Sequence, residues 1–258
     1  MDNYTEKNAK TIDLWVDDGW EWGIPVSAAA CEKVRYGEWD VLLTPTRPVP
    51  KDWFPPMKDT KLLGLASGGG QQMPVFSILG ADCTVMDLSD RQLESEREVS
   101  RREGYSINIV KADMTKRFPF EDGSFDIIFH PVSNCYVEDV YHIWRECYRV
   151  LRPGGILLSG MGNGINFLFE NYEKPLTVKY KLPFNPLRNP EHFALFASHD
   201  EEPIFQFSHT FDEQIGGQIK AGFVITGAYE DYDNPSTPNA IDEIPTYWAT
   251  RAQKPPIH

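Results

Sequence analysis

The stretch KLLGLASGGGQQ, residues 61–72, decides how this chain is read. Leu62, Leu63 and Leu65 form a short apolar run of the kind that fills a strand buried on both faces. Ala66 and Ser67 follow, then the three glycines Gly68, Gly69 and Gly70, then the amides Gln71 and Gln72. Without a Cβ, glycine takes positive φ and lets another group approach the backbone. A helix that starts after such a turn offers unpaired N–H groups to an anion. In open α/β sheets, ligands sit outside the carboxyl ends of strands like this one. Taken alone, the glycines have two readings, a ligand-binding turn or a plain flexible loop.

Downstream, the rhythm becomes strand, helix, strand, helix, which is the pattern of an α/β sheet. A helix is expected from about Gln71 to Leu79, with Gly80 as its stop, and a second strand over CTVMD, residues 83–87. A charged helix from Asp90 to Arg102 then leads to a third strand, INIVKAD, residues 107–113. FDIIFH, residues 125–130, reads as the fourth strand, and the helix Val137–Leu151 carries Val140, Ile143, Trp144, Cys147 and Tyr148 at helical spacing. RPGG, residues 152–155, reads as a turn into a fifth strand, GILLSG. Residues 208–231 read as a helix stopped by Gly222 and then a strand, and 245–253 as a last strand. Asp87 and Asp113 each end a strand next to the glycine turn. An acid about 20 residues past such glycines can accept hydrogen bonds from ribose hydroxyls. The alternative for both is a solvated acid at a strand end.

Upstream, residues 1–57 are rich in aromatics: Trp15, Trp20, Trp22, Trp39 and Trp53. A helix is expected around Asn8–Val16, and a second one capped by Ser27 and running to about Tyr36. TPTRPVPKDWFPP, residues 44–56, reads as a rigid connector over the surface, because proline fixes φ. These aromatics either pack the prelude onto the sheet or line a lid over a ligand.

The formal charge of −13 sets the whole chain against nucleic acid and anionic membranes, whose binding needs clustered Lys and Arg. No apolar run reaches the roughly 18 residues of a membrane span, and the polar start MDNYTEKNAK does not read as a signal peptide. Cys31, Cys83, Cys135 and Cys147 lack metal-ligand or C-x-x-C spacing and read as reduced thiols of a cytoplasmic protein, with no metal site.

Together, GLASGGGQ, VMDLS, KADMTKRFPFEDGSFDIIF and ECYRVLRPGGILLSG resemble the class I S-adenosylmethionine-dependent methyltransferases in order and spacing, tightly over residues 58–160. The resemblance implies an α/β fold with a doubly wound, seven-stranded, mostly parallel sheet (Rossmann-like) behind the aromatic-rich helical prelude. It implies a cofactor-binding domain over 58–258, interrupted by an insertion or cap at about 161–205, with 1–57 as prelude or lid. It also implies S-adenosylmethionine as cofactor, and the aromatic prelude points to a small or partly apolar molecule as the methyl acceptor. Carried over position by position, Ala66, Ser67, Gly68, Gly70, Gln71 and Gln72 would hold the methionine and ribose part, and Asp87 the ribose hydroxyls. Leu88, Gln92, Asp113 and Met114 would surround the ribose and adenine, and His130 and Pro131 would lie beside the sulfonium. Two positions depart from the family, which usually has an acid at Gly64 and glycine at Ala66. Gln71, Gln72 or a prelude residue is then expected to take the methionine ammonium.

Methyl transfer from a sulfonium needs orientation and a dry site more than a strong catalytic dyad. Where a base is required, the candidates are His130 and then His209, with Asn134 and Tyr136 orienting the acceptor. His130 also has cofactor-shell and structural readings, and His209 stands either toward the pocket or in solvent at a helix entry. Two other classes compete: a non-catalytic S-adenosylmethionine sensor, and an NAD-dependent oxidoreductase. The latter is disfavoured by Met73, which stands where close strand–helix packing needs a small residue.

Overall fold

The computed structural model describes residues 4–197, 204–233 and 240–256. Among these residues, seven strands form one sheet: β1 (Lys61–Leu65), β2 (Asp82–Asp87), β3 (Asn108–Lys111), β4 (Phe125–His130), β5 (Leu151–Gly162), β6 (Val224–Asp231) and β7 (Tyr247–Gln253). Their order is β3-β2-β1-β4-β5-β7-β6, and β7 runs antiparallel to both β5 and β6. Order reverses at β1, between β2 and β4, and there the carboxyl ends of the strands open a crevice.

Alternation along the strands sends side chains into two cores. Leu62, Val85, Ile127, Phe129 and Leu158 pack with α3 (Met73–Ile78), α4 (Asp90–Glu103) and Val34 of α2 (Ala28–Arg35) on one face. Leu63, Leu65, Met86, Ile128 and Leu157 meet α5 (Val140–Val150) on the other, where Val140, Ile143, Trp144, Cys147 and Val150 are buried. That apolar set at 3–4-residue spacing is why this segment is a helix, with Asp139 Oδ1 capping it at His142 N. Each fully buried side chain of this size stabilises by about 1.5–3 kcal/mol.

Three local readings need correction. RPGG does not turn the chain before β5 but bulges within it: Leu151 pairs with Phe125, and the next pair is Ile156 with Ile127. Gly155 suits the bulge because a Cβ there would stand 2.8 Å from Arg152 O. The proline-rich segment is not a surface strap. Val49 is buried in the first core and Trp53 lies against Tyr229. The late helix begins as a widened turn, Asp212–Gly216, before the regular α7 (Gly217–Ala221), and Gly222 ends it at φ 110°. The widening lets Glu213 O accept from Trp144 Nε1 at 2.9 Å.

The prelude forms α1 (Tyr4–Asp17) and α2, whose cap is Ser27 Oγ accepting from Ala30 N. α1 lies across the strand tips and is tied at both ends. Asp13 Oδ1 accepts from Ser89 Oγ and Arg91 N at the start of α4, and Asn8 exchanges two hydrogen bonds with the backbone of Phe205. Among the described residues, no helix is long and apolar enough to cross a membrane. α6 (Pro190–Ala197) lies in the segment between β5 and α7.

Candidate active site

A cavity of about 570 Å³ opens at the carboxyl ends of β1, β2, β3 and β4, under α1 and the segment that follows β5. Its size falls within the roughly 300–1,000 Å³ of small-molecule sites. Ala66, Ser67, Gly68, Gln71, Gln72, Asp87, Leu88, Gln92, Asp113, Met114 and Pro131 lie on its wall. Gly70, His130, Asn134 and His209 do not.

The glycine turn works differently from the sequence expectation. Its N–H groups are not left for an anion: Gly68 N donates to Asp87 Oδ2 at 3.1 Å, Gly69 N to Gln92 O at 2.9 Å and Gly70 N to Glu96 Oε1 at 2.8 Å. What glycine provides is close approach. A Cβ at Gly68 would sit 2.7 Å from Gln92 Cβ, and one at Gly70 would sit 2.9 Å from Ser95 O, so the turn lies flat on α4. Val26 N donates to Gly70 O at 2.8 Å, which fastens the prelude to the same turn.

Both departures from the family pattern have local causes. A side chain at Gly64 would overlap Met73 Sδ and stand 2.9 Å from its Cε, so Met73 fills the space an acid would use. Ala66 stands at φ 45°, a left-handed conformation that suits glycine, and is held there by its N–H on Met86 O at 2.8 Å.

Asp87 receives three backbone N–H groups: Leu88 and Ser89 on Oδ1 and Gly68 on Oδ2. Burial raises its pKa despite these bonds, which favour the charged form. Asp113 Oδ1 accepts from Thr115 N and Oγ1, and Oδ2 accepts from Thr5 Oγ1 of α1 at 2.8 Å. Gln71 Nε2 donates to Glu21 O and Ile24 O, and Gln72 Oε1 accepts from Leu42 N.

His130 lies beneath the cavity floor, fully buried. Nδ1 faces Leu65 O at 2.9 Å and Nε2 faces Asn134 Oδ1 at 2.8 Å, while Asn134 Nδ2 reaches Gln214 Oε1 at 3.0 Å. Two oxygen acceptors would demand a doubly protonated ring, yet burial lowers the pKa of His130. The consistent assignment is a neutral Nδ1–H ring with the Asn134 and Gln214 amides turned over, so that Asn134 donates to Nε2. Both ring nitrogens are then engaged, and a base role at the cavity has no geometry here. His209 is neither at the pocket nor in solvent: it is buried, with Nε2 on Asn134 O at 3.0 Å. Its pKa, too, is lowered by burial.

Several wall residues were not anticipated. Thr5, Asn8, Ala9 and Ile12 come from one face of α1, and their 3–4-residue spacing is the signal that could have found them. Phe167, Phe169, Glu170 and Tyr172 come from the segment after β5, and Thr246 and Tyr247 from the start of β7. Of the five prelude tryptophans, Trp20 and Trp22 reach the wall, Trp15 packs on Trp20, and Trp39 and Trp53 join the first core.

The wall fits an adenosyl group. Ser67 Oγ and Gln92 Oε1 are buried there without a hydrogen-bond partner, beside a carboxylate and the apolar Leu88 and Met114. A family profile described as "Methyltransferase domain" matches residues 63–159. The Bacillus subtilis protein named "Uncharacterized methyltransferase YbaJ" is 43% identical over 259 residues, covering 98% of this chain and 100% of that one. The ubiquinone/menaquinone biosynthesis C-methyltransferase UbiE of Shewanella sediminis is 38% identical over 103 residues, covering 38% of this chain and 41% of that one. In structure, an S-adenosylmethionine-dependent methyltransferase from Mesorhizobium loti superposes with a TM-score of 0.62 at 19% identity, over 79% of this chain and 94% of that one. The chain is therefore a member of the class I S-adenosylmethionine-dependent methyltransferases.

Proposed function

We propose that the protein transfers a methyl group from S-adenosylmethionine to a small-molecule acceptor held in the far half of the same cavity. One observation carries this reading: the wall is shared, running from the glycine turn and Asp87 to the aromatic residues Tyr136, Phe169, Tyr172 and Tyr247. When bound, the cofactor supplies an activated methyl group. The chain's own residues bind, orient and exclude water. Asp87 accepts from the ribose hydroxyls, Leu88 and Met114 enclose the adenine, and Asp113 accepts from its amino group. Gln71 supports the ammonium through Oε1, since its Nε2 is committed to two carbonyls. His130 is a positioning residue: it fixes Leu65 O and Asn134 beneath the floor.

Residues 1–57 act as the lid through α1, and the segment at 161–205 acts as the cap over the acceptor. Four free thiols suit a cytoplasmic setting, and the charge of −13 argues against nucleic-acid substrates. The test is calorimetric titration with S-adenosylmethionine of wild type and Asp87→Asn, followed by an acceptor screen that reads release of S-adenosylhomocysteine. Micromolar binding that weakens at least tenfold in the variant supports the reading. A folded wild type that does not bind overturns it.

A further inference from the structure

The acceptor half of the cavity has a chemistry of its own, and the inference drawn from it rests on the proposed reaction. Its wall brings three phenols together: Tyr136 from the loop after β4, Tyr172 from the segment after β5, and Tyr247 at the start of β7. Phe169, itself buried, and Glu170, an exposed carboxylate paired with Lys179, complete it. Tyr172 OH donates to Asn166 O at 3.4 Å, and Asn163 N donates to Thr246 O at 2.9 Å, so the segment after β5 is stitched to β7 around this lobe. Asp233 lies close enough to act electrostatically on both Tyr172 and Tyr247. Among the described residues on the whole wall, the charged side chains are carboxylates, Asp87, Asp113 and Glu170, and the last is paired with Lys179.

Such a lobe selects by charge. Aromatic faces carry the negative lobe of the ring quadrupole and attract a cation placed over them. A carboxylate or phosphate on the acceptor would be desolvated against these rings. The phenols and the thiol facing the lobe are also poor proton acceptors. Burial raises the phenols of Tyr136, Tyr172 and Tyr247 and pushes the Cys135 thiol up to about 12, so at neutral pH all four keep their protons.

We propose that the acceptor is a nitrogen base with no proton to lose, a tertiary amine or a ring nitrogen, which leaves as a methylated cation. The nitrogen lone pair forms the new C–N bond, the C–S bond breaks with its electron pair going to sulfur, and the positive charge passes from sulfur to nitrogen. No proton changes hands, which matches a wall whose phenols and thiol hold theirs. The developing charge on nitrogen lies among the rings of Tyr136, Tyr172 and Tyr247.

The test measures binding, not turnover. Choline, its uncharged carbon isostere 3,3-dimethyl-1-butanol, and the anion 3,3-dimethylbutyrate are titrated into the wild type and into Tyr247→Leu and Tyr247→Phe. The expected result is at least tenfold preference for choline over the neutral isostere and no detectable binding of the anion. That preference is kept in Tyr247→Phe and reduced several-fold in Tyr247→Leu. Equal binding of choline and the isostere, tighter binding of the anion, or no binding of choline overturns the proposal. S-adenosylmethionine is titrated into the same samples. Its binding without a cation preference sinks only the acceptor assignment, whereas failure of that binding sinks the methyl-transfer site itself.

Discussion

Glu96 offers the sharpest quantitative test of how this site is built. It stands on α4 with no exposed surface, holds Gly70 N through Oε1, and leaves Oε2 buried without a partner. Burial is the main force on it, reinforced by the negative charge of Asp87 and opposed by the Gly70 bond, and the balance pushes its pKa up from 4.5 to about 8. In the unfolded chain the same group ionises at its ordinary value. Between pH 4.5 and about 8 the native state therefore holds a proton that the unfolded state has lost, and stability falls as pH rises across that window. Each pH unit is worth about 1.4 kcal/mol, so the cost is roughly 3 kcal/mol at pH 7 and levels off near 5 kcal/mol above pH 8. Glu96→Gln keeps an oxygen for Gly70 N and removes the titration. Chemical denaturation of both proteins from pH 4 to 9 isolates the effect, because every other group titrates in both. The variant should match the wild type near pH 4 within about 1 kcal/mol and gain on it steadily, becoming more stable by roughly 3 kcal/mol at pH 7. A difference that stays flat between pH 5 and 8, or that shrinks, would show that Glu96 is ionised in the native protein and refute the reasoning.

Three more substitutions probe the same floor. Gly64→Asp restores the acid usual in the family but drives it into Met73, so it should lose about 1–3 kcal/mol in thermal denaturation, with most of that recovered in Gly64→Asp/Met73→Ala. Ala66→Gly relieves a left-handed alanine at the cost of chain entropy; the expected outcome is a change between zero and about 1 kcal/mol of added stability, and a clear loss would argue against the φ of 45°. His130→Ala should cost about 2–4 kcal/mol by unpairing Asn134 and opening a cavity, and the wild-type methyl-transfer rate should show no inflection near pH 6.5 from this ring. An inflection that disappears in His130→Gln would return His130 to the role of base.

The sheet was legible because its signal is local and periodic. The apolar runs of β1, β2 and β4 alternate with helices whose buried faces repeat at 3–4 residues, and the cap at Ser27 stands where its helix start requires it, while α5 starts three residues later than the sequence suggests, after its cap at Asp139. Bulges and widened turns were not legible, since they answer to partners far away. RPGG bulges to keep Ile156 in register with Ile127, and the turn at Asp212–Gly216 widens where Glu213 O accepts from Trp144.

The candidate site divides along the same line, and the division explains its two departures from the family. The strand tips carrying Asp87, Leu88, Asp113 and Met114 reach the wall because a parallel sheet brings its carboxyl ends together whatever lies above them. The roof comes from α1, the segment after β5 and the start of β7, elements distant in sequence that no short-range pattern joins. Gly64 and Ala66 belong to both halves. Their residue types answer to Met73 packing beneath β1 and to a left-handed turn out of it, so the strand that organises the sheet had no room for the usual acid. In the function proposed above, the ammonium end of the cofactor is assigned to Gln71, which the carbonyls of Glu21 and Ile24 tie to the prelude. On that proposal the N-terminal segment completes the binding site, so removing residues 1–26 should abolish S-adenosylmethionine binding in calorimetry even where circular dichroism retains the signature of the sheet and its helices.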